Sequence, residues 1–93
     1  MTIGLLQMEY MLPNTKSIKD KRSVLKNITN QVRKKFNVSF AELSQNDIVG
    51  KAHIGVTTIS NKSDFCHKVL TQVEEFISTE FDVMLVNRNM EMF

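Results

Sequence analysis

Apolar residues in this chain recur at every second position, then at every third or fourth, then at every second again, and that pattern runs twice. In residues 2–12, TIGLLQMEYML, Leu6, Met8, Tyr10 and Leu12 alternate with Gln7 and Glu9, the period of a strand with one buried face. Pro13-Asn14 ends it, because proline has no amide to donate to a ladder. Ile18, Leu25, Ile28, Val32 and Phe36 then recur at helical spacing, which predicts a helix to about Lys35. Ser17 suits its N-cap, and Asp20 three residues on makes a shortened capping box. Residues 37–43, NVSFAEL, read as a second strand with Val38 and Phe40 on one face. A polar loop at 44–47 leads to a longer strand over 48–60, where Ala52, Ile54, Val56 and Thr58 oppose His53, Gly55 and Thr57. Asn61 or Ser63 caps a second helix with Phe65, Val69, Val73, Phe76 and Ile77 as its core face. Residues 81–88, FDVMLVNR, form a fourth strand, and the tail NMEMF carries no assignment.

The order is β-α-β-β-α-β. Each helix must bury one stripe and each strand one face. Two helices packed on one face of a four-stranded antiparallel sheet meet both demands, which is the ferredoxin-like α+β arrangement. Right-handed crossovers put strands 1 and 3 in the centre and strands 2 and 4 at the edges. Ninety-three residues suit one such domain, 1–93, able to form a core without staples. A single cysteine excludes an internal disulfide and fits a reducing compartment. The chain shows neither a secretory h-region nor an apolar run long enough to span a bilayer, so a soluble cytoplasmic protein with no membrane role is expected.

Charge is segregated. Residues 16–35, KSIKDKRSVLKNITNQVRKK, hold eight of the twelve Lys and Arg and one acid. Residues 36–93 hold four cations against eight acids. At roughly 100° per residue, Lys19, Arg22, Lys26 and Arg33 line one flank of the apolar stripe, with Lys34 and Lys35 off that line. Lys19, Lys21 and Arg22 also stand near the helix start, where the macrodipole disfavours cations by about 0.3–1 kcal/mol each. A bound polyanion would offset that cost, and free amides at a helix start favour phosphate. The same charge also serves solubility alone on many helices. Lys21 differs, because its wheel position falls among Ile18, Leu25 and Ile28. It must snorkel past the core edge or pair with an acid, and Glu42, on the face of Val38 and Phe40, is the expected partner of Lys21 or Arg22.

Ser17-Ile-Lys-Asp-Lys-Arg22-Ser-Val-Leu25, Phe36-Asn-Val-Ser-Phe-Ala-Glu42, Gln45-Asn-Asp47 and Gly55-Val56 running to Ser60 together resemble the YlxP-like family of small bacterial domains of unknown function. The resemblance covers nearly the whole chain in order and spacing. It implies a ferredoxin-like fold. Members are commonly encoded beside factors for transcription antitermination, translation initiation and ribosome maturation, which implies by association a role near RNA or the ribosome. The family supplies no catalytic residues to carry over. This chain has Ile48-Val49-Gly50 where an aromatic often occurs.

No reaction chemistry converges. Cys66 and His67 are neighbours on a helix and point about 100° apart, the cysteine among apolar residues and the histidine outward. Neither C-x-x-C nor H-x-x-x-H spacing occurs, and the three glycines are far apart, so no metal, cofactor or phosphate loop is expected. The open face of the sheet should carry Gln7, Glu9, Met11, His53, Gly55, Thr57 and Ile59, none of them aromatic. Base stacking on the sheet is therefore disfavoured, and Glu9 repels phosphate. The expected function is a non-enzymatic module that binds structured RNA or a ribosomal particle through Lys19, Arg22, Lys26 and Arg33, with Lys34 and Lys35 beside them. The alternative is a protein-interaction or homodimerisation domain that uses the open sheet around Met11, His53 and Ile59.

Overall fold

A computed structural model describes residues 1–44 and 48–93. The elements are β1 (Thr2–Met11), α1 (Ile18–Lys35), β2 (Ser39–Glu42), β3 (Lys51–Ser60), α2 (Ser63–Glu80) and β4 (Met84–Met92). They form one antiparallel sheet in the order β2-β3-β1-β4. The fold is thus the βαββαβ arrangement, with strands 1 and 3 central. Residues 45–47 of the polar loop lie outside the described residues.

One face of the sheet is covered by both helices. Leu6, Met8, Tyr10, Ile54, Val56 and Phe40 point into that layer and meet Leu25, Ile28 and Val32 of α1 and Leu70, Val73 and Ile77 of α2. Helix α1 begins as its sequence dictates. Ser17 Oγ accepts from the Asp20 amide at 3.0 Å, and Asp20 Oδ2 accepts from the Lys16 amide at 3.1 Å. No helix of the described residues is long and apolar enough to cross a membrane.

Five sequence expectations change. Strand β3 starts at Lys51, not 48, because Gly50 takes φ +87° and turns the chain, its carbonyl accepting from the Leu12 amide at 2.8 Å. Strand β2 shrinks to four residues, those that pair with Ile54–Thr57. Strand β4 slides toward the C-terminus. Phe81 and Val83 are drawn under the helices, while the NMEMF tail pairs with β1, ending in two bonds between Ile3 and Phe93 at 2.8 and 3.0 Å. The core face of α2 is Cys66, Leu70, Val73 and Ile77, and Phe65 stands 54% exposed. Gly4 fixes that rotation: a Cβ there would lie 2.9 Å from Leu70 Cδ1 and 3.1 Å from Cys66 Cβ, so the helix seats closely on a strand position with no side chain. The N-cap of α2 is Lys62, without a side-chain cap, rather than Asn61 or Ser63. Ser60 Oγ instead accepts from the Lys62 amide at 3.2 Å.

Candidate functional site

The cations of α1 differ in what they reach. Lys21 alone is buried; Lys19, Arg22, Lys26, Arg33, Lys34 and Lys35 are exposed, and of these Arg33 and Lys35 reach other elements. Lys19 and Lys26 follow Ser17 along the first half of the helix, where the capped N-terminus fixes their direction. Arg33 turns back toward the sheet, and its Nη2 donates to the Phe40 carbonyl of edge strand β2 at 2.8 Å. Lys35 lies over an aromatic cluster: its ammonium is 4.8 Å from the Phe76 ring centre and 5.9 Å from that of Phe36. Phe36, Phe76 and Phe81 meet edge to face at 5.7 and 6.0 Å between centres. These two cations therefore help hold the C-terminal end of α1 to β2 and α2. The backbone around Phe40 and the ring of Phe76 come from other elements, so no helical wheel of α1 reveals either contact.

Lys21 is buried, 1% exposed, and its Nζ stands 3.4 Å from Glu42 Oε2. That ammonium makes no hydrogen bond among the described residues. Glu42 is one-third exposed, so water reaches the pair from the carboxylate side. A buried ammonium with a single acidic neighbour depends heavily on that neighbour, because the Coulombic attraction offsets a desolvation cost of several kcal/mol.

The other side of the sheet is open. His53 is half-buried there, with Nε2 at 3.0 Å from Gln7 Oε1, and its amide donates to Ser44 Oγ at 2.9 Å. Beside it lies a groove of about 440 Å³ lined by Glu9, Met11, Ile48, Lys51, His53 and Val86. A register shift in β4 opposite Glu9 and Tyr10 creates one wall, since Val86 stands between the pairs Glu9–Asn87 and Tyr10–Leu85. Met11 and Ile59 are exposed on this face, at opposite ends of it. The sequence reading counted Val86 among the apolar residues of the open face but missed Ile48 as a groove wall. The apolar pair Ile48-Val49 carried the signal but was assigned to a strand, and the bulge has no signature within β4 alone.

Cys66 is buried, with Sγ 3.6 Å from the Thr2 carbonyl and 3.9 Å from that of Thr58, while His67 is exposed. Among the described residues, Tyr10 is the group whose ionisation the fold shifts. Burial, and secondarily the Glu74 carboxylate, push its phenol above the ordinary value, and its hydroxyl donates to Met8 Sδ at 3.0 Å. Among the described residues no three His, Cys, Asp or Glu side chains gather as metal ligands.

Residues 3–90 match the family described as "Protein of unknown function (DUF503)". The chain is 34% identical over 77 residues to the uncharacterized protein YlxP of Bacillus subtilis (strain 168), covering 83% of this chain and 84% of that protein. Among solved structures, it is similar to LarC2, the C-terminal domain of a cyclometallase involved in the synthesis of the NPN cofactor of lactate racemase, in its apo form. That likeness has a TM-score of 0.42 and 14% identity, and spans all of this chain but 56% of the other.

Proposed function

We propose that this chain, which belongs to the DUF503 family of proteins of unknown function, is a non-enzymatic module that grips the phosphate backbone of structured RNA with the outer face of α1. One observation carries the reading: Lys19, Arg22 and Lys26 are exposed along the first half of a capped helix, the first two near its start against its own dipole. Of the other cations of α1, Lys21 is buried beside Glu42, and Arg33 and Lys35, though exposed, contact the Phe40 carbonyl and the Phe76 ring. Three outward cations at helical spacing form a short track that meets successive phosphates, with the helix amides adding a favourable field at the N-terminal end. The sheet offers no aromatic platform: Gln7, Glu9, His53 and Thr57 stand where an RNA-recognition sheet would present rings. Recognition is accordingly electrostatic, with little base preference and a ribosomal particle as a fitting source of dense phosphate.

The test is binding of a structured ribosomal RNA fragment over a salt series, followed by fluorescence anisotropy, for the wild type and Lys19→Glu/Arg22→Glu/Lys26→Glu. The wild type is expected to bind with a log–log salt slope of about −2 to −3, as three neutralised phosphates require. The triple reversal should lose roughly 100-fold in affinity, about 2.7 kcal/mol, with an unchanged melting temperature. No binding at low salt, or binding indifferent to salt, overturns the reading.

A further inference from the structure

The geometry points to a second copy of this chain as the occupant of the open sheet face, packed face to face about a two-fold axis parallel to β1 and β3. The inference is independent of RNA binding, because the basic helix lies on the opposite side of the sheet and stays outside such a pair.

Register carries the argument. β1 and β3 are the central strands, and their partners on the open face include Ile3↔Ile59, Glu9↔His53 and Met11↔Lys51. An axis running midway between the two strands exchanges them. It lays Ile3 over Ile59 of the partner subunit, and the Glu9 carboxylate over the imidazole of His53 of the partner subunit. Met11 falls on the aliphatic stem of Lys51 of the partner subunit. The same operation exchanges the edges, since β4 lies beyond β1 and β2 beyond β3. Leu43 continues the level of His53, to whose carbonyl its amide donates at 2.6 Å, and Val86 lies at the level of Glu9. Val86 therefore meets Leu43 of the partner subunit. Met84, opposite Met11, meets Ile48 of the partner subunit, whose carbonyl lies 3.4 Å from the Lys51 amide. Ile59, Met84, Val86 and Ile48 are each more than half exposed in one copy, and this packing covers all four.

Charge selects the axis. Glu9 is exposed, directly across the sheet from His53 of its own chain, and its carboxylate has no hydrogen bond or ion pair among the described residues. A two-fold axis across the strands and centred on β1 would lay it near Leu5 of the partner subunit, with no donor to meet. The parallel axis sets a second imidazole, that of His53 of the partner subunit, over it beside the His53 across its own sheet, twice by symmetry. Area is of the right order. With ten residues in β1 and β3, nine in β4 and four in β2, at about 3.4 Å per residue and about 4.8 Å between strands, the face measures roughly 500 Å² in projection and more as accessible side-chain surface. Standard interfaces begin near 600 Å² per partner. Aligned sheets pack about 10 Å apart with a modest twist between them, which suits this register.

Sedimentation of the full chain from micromolar to submillimolar concentration tests the proposal. The wild type is expected to form a dimer. Ile59→Asp and Met84→Glu, at opposite ends of the face, should each weaken the dimer at least about tenfold while keeping the far-ultraviolet circular dichroism of the wild type. Glu9→His alone and His53→Glu alone should each weaken it, and the double exchange Glu9→His/His53→Glu should restore it. Lys19→Glu/Arg22→Glu/Lys26→Glu should leave it intact, which separates this inference from RNA binding. A monomer at every concentration overturns the proposal, as does a dimer indifferent to both Ile59→Asp and Met84→Glu.

Discussion

The two helices match in length, 18 residues each, and each ends on a phenylalanine whose amide bonds back into the last turn, Phe36 to Val32 and Phe81 to Ile77. They differ in what holds them down. Helix α2 carries one cation and four acids and seats on the central strand, where Gly4 lets Cys66 and Leu70 approach. Helix α1 carries seven cations and one acid and lies toward the short edge strand β2. Its apolar stripe is supplemented by polar ties, Lys21 to Glu42 and Arg33 to the Phe40 carbonyl. Close packing fixes one helix, and charge placed at the rim of the core helps fix the other. The lesson for function is that the cations of α1 have two occupations, so counting them overstates the surface open to a polyanion.

Glu42→Ala strikes hardest at the polar side of this comparison. It leaves the Lys21 ammonium buried with no counter-charge, at a cost of about 2–3 kcal/mol after allowing for the one-third exposure of Glu42, or roughly 10–20 °C in melting temperature for a domain of this size. Lys21→Met/Glu42→Leu should return close to wild type, since an apolar pair of similar volume removes both desolvation costs. An unchanged melting temperature in Glu42→Ala would show that the pair does not clamp α1. On the packed side, Gly4→Ala should cost about 1–2 kcal/mol, because the new methyl meets Leu70 and Cys66 at 2.9 and 3.1 Å and α2 must lift. Thermal melts decide it, and a neutral result would mean that α2 is seated more loosely than its geometry implies.

The smallest effect at neutral pH belongs to Tyr10, which faces α2 through Glu74. Its folded-state pKa is raised above the unfolded value of about 10, so the neutral phenol is favoured by the fold. The stability this confers is fully present below pH 10 and is lost as pH rises above it. Urea melts at increasing alkaline pH should show a fall that Tyr10→Phe flattens.

Much of the fold was legible because local pattern and packing agree. Ser17 and Asp20 mark the start of α1, and Phe36 its end, without reference to any other element. Strand β4 was misplaced for the opposite reason. Asn87-Arg88-Asn89 looks like the end of a strand, yet Arg88 turns to the helix side and pairs with Glu74 at 2.6 Å, while Asn87 and Asn89 pair with β1. Partner and bulge are properties of two strands, and one strand's composition does not encode them. The buried face of α2 was likewise undetermined by its own wheel. Phe65 and Cys66 both border the apolar arc, and the bare Gly4 on a distant strand chooses the cysteine. At the basic helix, wheel position and strand parity narrowed the partner of Glu42 to Lys21 or Arg22, and the structure sets Lys21 beside it at 3.4 Å. The contacts of Arg33 and Lys35, both exposed, required knowing where Phe40 and Phe76 lie.

The chain has one tyrosine and no tryptophan, and that tyrosine is Tyr10, 2% exposed with its hydroxyl on the sulfur of Met8. Its intrinsic near-ultraviolet emission therefore comes chiefly from a single ring between the sheet and α2. Loosening of that layer would release the ring from its sulfur neighbour and change its fluorescence, whereas a ligand on the outer face of α1 would leave the signal nearly constant. The molecule thus carries its own optical reporter of core integrity, placed well away from the charges that face outward.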